Sequence, residues 1–396
     1  MKSRFRKLAL ATLPLTALTL GAIGTAAAED CEVRLGAAGP MTGGAAQWGL
    51  AFKAATEFEA AYTNEHGGVQ VGNKKCKVVV YSYDSKYTVS GGAEASNYFA
   101  SLNIHAVIGP VGSPENTGFK PVAKRNGQVN FNPSAAPDAI GPEFPLDFHE
   151  IPQVQTWGPL LLQEAKKSFK FKNAIVIGAN DQGGMEAAHG MTKLYQASAI
   201  PVSEEVYDRG TINFAPLAAR LMGKNPDLVE LAGMPPGDVA LLVRQLLDAG
   251  YSGLFGRGGG AGVADIIKGL GGPERLKGIF WIEYVPLDDP RIQQLRDDFK
   301  RIMKTDPPES TLFIASQTAA EQVLKAMTIA GTDQDGDKIA DALRNMTPVS
   351  RYRGTGGWRG KTLYGINQEF AFPAAMGVIK NGKVEHMVPI AIPAEK

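Results

Sequence analysis

The apolar residues of this 396-residue chain follow two patterns that alternate along it. Short continuous apolar runs, such as residues 78–81 and 174–177, are typical of parallel strands buried on both faces. Segments with apolar residues at helical spacing follow them, separated by turns rich in Gly, Pro and Asn. Strands are predicted at 33–37, 77–83, 106–109, 128–132, 174–178, 228–232, 253–256 and 278–283. Helices are predicted at 47–64, 89–101, 156–169, 184–197, 214–222, 239–249, 291–304, 311–330 and 335–344.

This alternation predicts an α/β fold built on parallel sheets. The number of strands and helices exceeds what one open sheet with a single topological switch point holds. Breaks lie at residues 147–153, where Pro152 interrupts the pattern, and at 283–290. The Asn-Gly pair at 381–382 indicates a hairpin near the carboxyl end.

The first 28 residues have the order of a secretory signal peptide. Four Lys or Arg residues lie within the first seven positions, an apolar run extends to about residue 24, and three alanines precede Glu29. This order predicts a signal peptide over 1–28 that is cleaved, with an uncleaved membrane anchor as the alternative. Lipid modification of Cys31 is not expected, because Glu29 and Asp30 stand where a lipobox requires small residues.

The charge of the chain is balanced, with 41 Lys and Arg against 40 Asp and Glu. Nucleic-acid-binding and polybasic membrane surfaces need a marked excess of positive charge. We therefore predict neither nucleic acid nor a membrane surface as a partner.

The only two cysteines, Cys31 and Cys76, begin the first and second predicted strands. In a doubly wound sheet these strands would be parallel neighbours in matching register, and an exported protein meets an oxidising compartment. We expect a disulfide between them; two separate buried thiols are the alternative. Neither cysteine lies in a C-x-x-C motif, so redox catalysis is not expected.

Motifs of catalysis are missing from the sequence. It has no G-x-S-x-G elbow, and the glycine-rich stretch 256–262 lacks the dinucleotide-binding spacing. The calcium-like stretch 333–337 places Arg344 where an EF-hand loop needs Glu, and the five histidines show no metal-binding spacing. We predict no enzyme activity, no cofactor and no metal.

The loop after the first strand carries ligand-binding features without reactive ones. It leads into a helix whose N-terminal N–H groups suit a bound ligand, and it contains Gln47 and Trp48 but no nucleophile. This composition indicates that the loop holds a small molecule rather than transforming it.

Three later loops also follow predicted strands. The N–H groups and hydroxyl at Ser113 suit a carboxylate at a helix N-terminus, unless Ser113 only caps its helix. Ser134 and Ala136 follow the next strand and offer backbone groups. Asp181 lies at the mouth of a loop in the second half, with a helix N-cap as its alternative role.

Residues 39–43 (Gly-Pro-Met-Thr-Gly), 108–113, 132–137 and 175–181 occur in the order of a known family. The chain resembles the exported type I solute-binding proteins of ATP-driven importers, in the branched-chain amino-acid-binding group. The resemblance implies two Rossmann-like α/β lobes with parallel sheets, joined by three crossings, with the ligand in the cleft between them. It implies a first lobe of 29–151 and 286–362 and a second lobe of 152–285 and 363–396. It also implies a periplasmic monomer whose partners are a small-molecule ligand and the permease subunits of an ABC importer.

The resemblance assigns roles to several residues. Trp48 falls where the family places an aromatic ring against the ligand. Gly112 and Ser113 fall on the turn that holds the ligand carboxylate, and Ser134 and Ala136 fall on the next ligand-holding loop.

Departures from the family pattern concern the amino group of the ligand. Ala136 replaces a Thr hydroxyl, Gly183 replaces a Tyr, and Gly259 or Gly260 falls near the Glu that holds the ammonium. An α-ammonium buried there would lack its charge partner. We therefore expect a small apolar or aromatic carboxylate, bounded by the residues Gln47, Trp48, Phe131, Gln155, Trp157, Met234 and Gly260.

Three alternatives remain. The ligand would be a branched-chain or other hydrophobic amino acid if backbone carbonyls and Asp181 held the ammonium. An exported α/β hydrolase or dehydrogenase is the alternative of another class, which the missing motifs disfavour. A chemosensory receptor ectodomain would need a membrane span downstream.

Overall fold

A computed structural model of the protein describes residues 31–259, 262–385 and 387–395. The predicted signal peptide over 1–28 and the predicted site residue Gly260 lie outside the described residues.

The structure alternates strands and helices along most of its length. The strands are β1 (Glu32–Gly39), β2 (Val69–Val71), β3 (Lys74–Asp84), β4 (Ala106–Ile108), β5 (Val129–Asn132), β6 (Asp147–His149), β7 (Ala174–Ala179), β8 (Val202–Tyr207), β9 (Leu228–Leu231), β10 (Leu254–Arg257), β11 (Gly278–Glu283), β12 (Val349–Ser350), β13 (Gly354–Thr355), β14 (Gly357–Arg359), β15 (Glu369–Ala371), β16 (Ala374–Lys380), β17 (Lys383–Val384) and β18 (Val388–Ile390). The helices are α1 (Ala46–Glu65), α2 (Val89–Ser101), α3 (Ser113–Asn126), α4 (Val154–Ser168), α5 (Gln182–Ala197), α6 (Ala215–Lys224), α7 (Pro236–Asp248), α8 (Val263–Leu270), α9 (Pro290–Met303), α10 (Thr311–Ala330), α11 (Gly336–Asn345) and α12 (Lys361–Tyr364).

Two sheets of mostly parallel strands organise the molecule, which confirms the predicted α/β fold. The first sheet has the order β14-β15-β6-β5-β4-β1-β3-β2 and the second has the order β17-β16-β11-β10-β9-β7-β8, with β18 paired to β16. We call each sheet with its packed helices a lobe. All eight predicted strands are present, and β16 and β17 form the predicted hairpin.

One longer strand was not predicted, and its position explains why. β8 lies at the edge of the second sheet, and its sequence Val-Ser-Glu-Glu-Val-Tyr is only partly buried. An edge strand has no need for a continuous apolar run, so the pattern that identifies the central strands is missing from it.

The disulfide between Cys31 and Cys76 is formed, as predicted. β1 and β3 pair in parallel with Glu32 opposite Lys77, so the two cysteines are directly opposed at the start of that pairing. The bond joins the beginning of the first strand to its neighbour across a sequence separation of 45 residues.

The crossings between the sheets differ from the expected boundaries near the carboxyl end of the chain. β15 pairs in parallel with β6 of the first sheet, whereas β16 pairs with β11 of the second. The chain therefore leaves the first sheet only after Ala371, later than the expected boundary at residue 362. Beyond β18 the tail returns to the first lobe, where Arg359 Nη1 donates to the Pro393 carbonyl at 3.0 Å.

Each of the two sheets has one topological switch point. In the first sheet the order reverses at β1, between β4 and β3, and in the second it reverses at β7, between β9 and β8. Ligands of open α/β sheets bind beyond the carboxyl ends of strands at such points.

No helix in the described part of the chain combines the length and apolarity needed to cross a bilayer.

Candidate functional site

A cavity of about 400 Å³ lies between the carboxyl ends of the two sheets. Both lobes and two of the crossing segments contribute to its wall. The lining residues are Trp48, Tyr87, Val111, Gly112, Ser113, Pro133, Ala135, Pro137, Ile151, Pro152, Gln153, Val154, Gln155, Trp157, Gly183, Met185, Glu186, Ala187, His189, Gly190, Met191, Lys193, Gly233, Gly258, Gly259, Tyr284 and Leu312.

Aromatic and aliphatic side chains make up much of this wall. Trp48 and Tyr87 come from the first lobe, Trp157 and Met191 from the second, and Leu312 from the start of α10. The Trp48 and Tyr87 rings meet with their centroids 6.1 Å apart. Such a wall favours a ligand with an apolar body and a small number of polar groups.

Ser113 presents a polarised hydroxyl to the cavity. The Ala136 N–H donates to Ser134 Oγ at 3.3 Å, and Ser134 Oγ donates to Ser113 Oγ at 3.2 Å. Because the Ser113 oxygen accepts from Ser134, its own proton is left to donate to a ligand. The Ser113 N–H, at the first position of α3, also lacks an intrahelical acceptor. The residue thus offers two donors to a carboxylate.

The N–H group of Gly112, the residue before Ser113, is hydrogen-bonded to Glu115. The Gly112 N–H donates to Glu115 Oε2 at 2.7 Å, and the Ser85 hydroxyl donates to Oε1 of the same carboxyl group. The sequence predicted Gly112 as part of a carboxylate-holding turn, but its N–H is used within the protein. Burial raises the pKa of Glu115 to about 7, although these two bonds oppose the shift.

Two helix N-termini meet at the cavity. α3 begins at Ser113 and α5 begins at Gln182, followed by the lining residue Gly183. The side chains of Thr117 and Gln182 join the two helices by a 3.0 Å hydrogen bond across the lobes. Because each helix carries a partial positive charge at its N-terminus, the pair favours a ligand with negative charge between them.

Tyr87 closes the space between these helices in an unusual conformation. Its φ of 60° lies in the left-handed region, which is uncommon for a residue other than Gly. A Cβ added at Gly112 would lie 2.2 Å from the ring, and one added at Gly183 would lie 2.5 Å from the hydroxyl. The glycine at 183, where the resembling family has Tyr, thus makes room for a tyrosine from the other lobe.

Arg209 joins the second lobe to the aromatic residues of the first. Its guanidinium carbon lies 4.7 Å from the Tyr87 ring centroid and 5.6 Å from that of Trp48. Asp181 holds it in place, with Nε to Oδ2 at 2.5 Å and Nη2 to Oδ1 at 3.0 Å. The same aspartate caps α5 by accepting from the Gly184 N–H at 2.9 Å. Asp181 thus joins the start of α5 to Arg209, which packs on the Trp48 and Tyr87 rings of the first lobe.

Two polar atoms of wall residues are buried without a hydrogen-bond partner among the described residues. They are the Trp48 indole nitrogen, which is a donor, and Glu186 Oε2, which is an acceptor. The other oxygen of Glu186 accepts from Gln182 Nε2 at 3.1 Å. Since buried polar groups in proteins are nearly always paired, these two atoms are candidates for ligand contact.

The predicted site residues divide into those on the cavity wall and those behind it. Trp48, Gly112, Ser113 and Gln155 line the cavity. The remaining predicted site residues that the structure describes do not line it; they are Gln47, Ser134, Ala136, Asp181 and Met234.

The residues that do not line the cavity are either exposed or engaged in contacts within the protein. Gln47 is exposed on α1, one position from the Trp48 that faces inward. Ser134 and Ala136 support the Ser113 hydroxyl from behind, and Ala135 takes the place on the wall. Met234 is fully buried, and its carbonyl accepts from Arg257 Nη2 at 2.7 Å. Ligand contact by any of the predicted residues stays a prediction.

Sequence reasoning missed Tyr87, Gln153, Glu186 and Arg209. Tyr87 sits in a left-handed turn that no local pattern identifies, and Arg209 follows the edge strand that was also missed. Gln153 lies in the predicted break, and its side chain donates to the Ser134 carbonyl at 2.7 Å. Glu186 was detectable as an acid one helical turn beyond Gly183 on a predicted helix.

Comparison with known proteins gives three consistent findings. A family model described as periplasmic binding protein matches residues 32–381. The leucine-, isoleucine-, valine-, threonine- and alanine-binding protein of Pseudomonas aeruginosa is 25% identical over 317 residues, covering 80% of this chain and 83% of the relative.

Solved structures share the fold at low sequence identity. A leucine-binding protein from Thermotoga maritima superposes with a TM-score of 0.76 at 20% identity, over 91% of this chain and 99% of that one. A solute-binding protein of an ABC transporter from R. palustris, in complex with benzoate, gives a TM-score of 0.75 at 18% identity, over 92% of this chain and 98% of that one.

Within the described residues, no cluster of three or more His, Cys, Asp or Glu is arranged to hold a metal.

Proposed function

The chain belongs to the periplasmic binding protein family, and we propose that it captures a small apolar or aromatic carboxylate in the periplasm for an ATP-driven importer. The resemblance seen in the sequence is thereby confirmed at the level of the family. The ligand, the permease partner and the signal peptide belong to the proposal.

One observation carries the choice of a carboxylate. The Ser113 hydroxyl accepts from Ser134, so it is set to donate at the base of a cavity with apolar walls. The N-termini of α3 and α5 add positive potential at the same place. Trp48 and Trp157 supply flat apolar surfaces for the body of the ligand.

Closure of the two lobes around the ligand is the proposed mechanism. Arg209 and Gln182 of the second lobe already contact Tyr87 and Thr117 of the first. A ligand that touches Ser113 on one side and α5 on the other binds the closed form better than the open form. It therefore shifts the population toward the closed form, which the permease would recognise. No step of this mechanism requires a reaction, so the proposed role is binding and not catalysis.

A hydrophobic amino acid is the second candidate ligand. The relative from Pseudomonas aeruginosa is named for five amino acids, and Glu186 places a carboxylate on the cavity wall. The Glu186 carboxylate would then pair with the α-ammonium of the ligand. From the sequence, the missing charge partner is expected near Gly259 or Gly260.

Thermal-shift screening of the refolded, ligand-free protein tests the proposal. Matched acids with and without an α-amino group, such as leucine with 4-methylpentanoate, are compared with benzoate and phenylacetate. A ligand present at 100 times its Kd stabilises the folded protein by about 2.7 kcal/mol, which shifts the midpoint by several degrees. A shift with leucine and none with any acid that lacks the amino group would contradict the preferred ligand class. No shift with any of them would contradict carboxylate capture itself.

A further inference from the structure

The most informative unassigned feature of the cavity is the free oxygen of Glu186. Its Oε2 is buried and has no hydrogen-bond partner among the described residues, while Oε1 is held by Gln182. Gln182 in turn donates to Thr117 across the lobes at 3.0 Å. The carboxylate is therefore fixed in orientation by a bond network that leaves one of its oxygens unused.

No basic side chain among the described residues makes a hydrogen bond to that oxygen. Arg209 pairs with Asp181 through Nε and Nη2, while its own Nη1 is buried without a hydrogen-bond partner there. The His189 ring lies 3.5 Å from Glu204. Lys193 follows on α5 with an exposed side chain. A buried carboxylate oxygen without a hydrogen-bond donor is unfavourable, so a donor from a ligand would stabilise it.

Glu186 and Ser113, the proposed carboxylate donor, line the same cavity from opposite lobes. Gly183, one turn earlier on α5, faces the first lobe so closely that an added Cβ would lie 3.7 Å from the ring of Pro114. Pro114 is the neighbour of Ser113, the proposed carboxylate donor. Glu186 follows Gly183 by about one helical turn, roughly 5 Å along α5, and it lines the same cavity as Ser113. A small ligand held at Ser113 is therefore expected to reach Glu186.

We propose that Glu186 selects ligands that carry a hydrogen-bond donor, an amino or hydroxyl group, in addition to their carboxylate. This inference rests on the proposed capture of a carboxylate and narrows its ligand class. Glu186 accepts the donor through Oε2, and Gln182 keeps the carboxylate from turning away. A ligand without a donor leaves the oxygen unpaired when the lobes close, and it binds more weakly for that reason.

Calorimetric titration of matched ligand pairs tests the proposal on the refolded mature protein. The pairs are 4-hydroxybenzoate with benzoate, 3-hydroxybenzoate with benzoate, and leucine with 4-methylpentanoate. For at least one pair we expect the donor-bearing member to bind about 10- to 100-fold more tightly, the usual range for a hydrogen bond to a charged group. Glu186→Ala should reduce that ratio to within about threefold.

Two further variants separate selection from a structural role. Glu186→Gln keeps the size and one acceptor oxygen but loses the charge, so it should retain part of a hydroxyl preference and lose an ammonium preference. Glu164→Gln, on α4 of the same lobe and paired with Lys167, is the control and should leave every ratio unchanged. Thermal unfolding of each variant shows whether it is folded.

The outcomes distinguish this inference from the function on which it rests. If both members of every pair bind the wild-type protein equally, or if Glu186→Ala and Glu186→Gln leave the ratios unchanged, the inference is wrong and carboxylate capture stands. If no member of any pair binds, carboxylate capture is wrong and the inference is overturned with it.

Discussion

Replacing Arg209 by Ala should weaken ligand binding by opening the cleft. The guanidinium group of this second-lobe residue lies over the rings of Tyr87 and Trp48 in the first lobe, at 4.7 and 5.6 Å from their centroids. Because these contacts join the two lobes, we expect them to be lost when the lobes separate. Removing them should then destabilise the closed form relative to the open form.

The size of the effect follows from the two contacts. A cation over an aromatic ring contributes roughly 0.5 to 1 kcal/mol when exposed and about 2 kcal/mol when desolvated. The side chain of Arg209 is mostly buried, with 12% of it exposed, but the Trp48 distance is long. We expect a loss of about 1 to 2 kcal/mol, which weakens affinity by about 5- to 30-fold, mainly through faster dissociation.

Isothermal titration calorimetry with the best ligand from the screen measures this change, and small-angle scattering follows closure. Arg209→Lys keeps the ion pair with Asp181 but loses the flat guanidinium, so it should fall between the wild type and Arg209→Ala. Arg220→Ala, which removes an arginine 3.5 Å from Glu205 within the second lobe, is the matched control. A folded Arg209→Ala protein with an affinity within twofold of wild type would refute the role of these contacts in closure.

Three further predictions concern the cavity and its supports. Gly112→Ala should reduce ligand affinity at least tenfold with little loss of secondary structure, because the new Cβ would lie 2.2 Å from the Tyr87 ring. Calorimetry measures the affinity and circular dichroism the secondary structure. An unchanged affinity would show that the Tyr87 ring is free to move. Replacing Cys31 and Cys76 together by Ala should lower the free energy of unfolding by about 4 kcal/mol, the loop-closure value for a separation of 45 residues, as measured by urea denaturation; a loss under 1 kcal/mol would contradict it. The folded-state pKa of Glu115, about 7, lies above the ordinary value of 4.5, so its protonated form stabilises the fold below pH 4.5 and that stability is lost as pH rises through 7. In the wild type this loss lowers the free energy of unfolding by up to about 3 kcal/mol between pH 5 and 8, and Glu115→Gln should abolish it. Free energies of unfolding that fall in parallel for the two proteins across this pH range would rule this out.

Much of the fold was predictable because its signals are local. Continuous apolar runs identify the central strands, and the matching register of Cys31 and Cys76 follows from their positions at the start of two neighbouring strands. β8 and β15 lack such signals, since one is an edge strand and the other is three residues long. The pairing of β15 with β6 is a contact across more than 200 residues, and no local pattern encodes it.

The candidate site was predictable mainly for residues near the loops and breaks that the sequence pattern identifies, and Gln155 beside the predicted break is one of them. Trp48 and Ser113 belong to such loops, and both line the cavity. Tyr87 and Arg209 also follow strands, but Tyr87 faces the cavity from a left-handed turn and Arg209 follows the edge strand that no apolar run identifies. The contact of Arg209 with the Tyr87 ring joins the two lobes, and that pairing depends on the whole fold. Ser134 shows a third case: the loop was identified correctly, but its side chain supports Ser113 instead of facing the cavity.

A crystal structure of the protein with its best carboxylate ligand tests the central claim most directly. We predict that the ligand carboxylate lies within hydrogen-bond distance of the Ser113 hydroxyl and N–H, with its apolar body against Trp48 and the lobes closed over it. A ligand bound elsewhere, or one whose carboxylate points away from Ser113, would contradict the account.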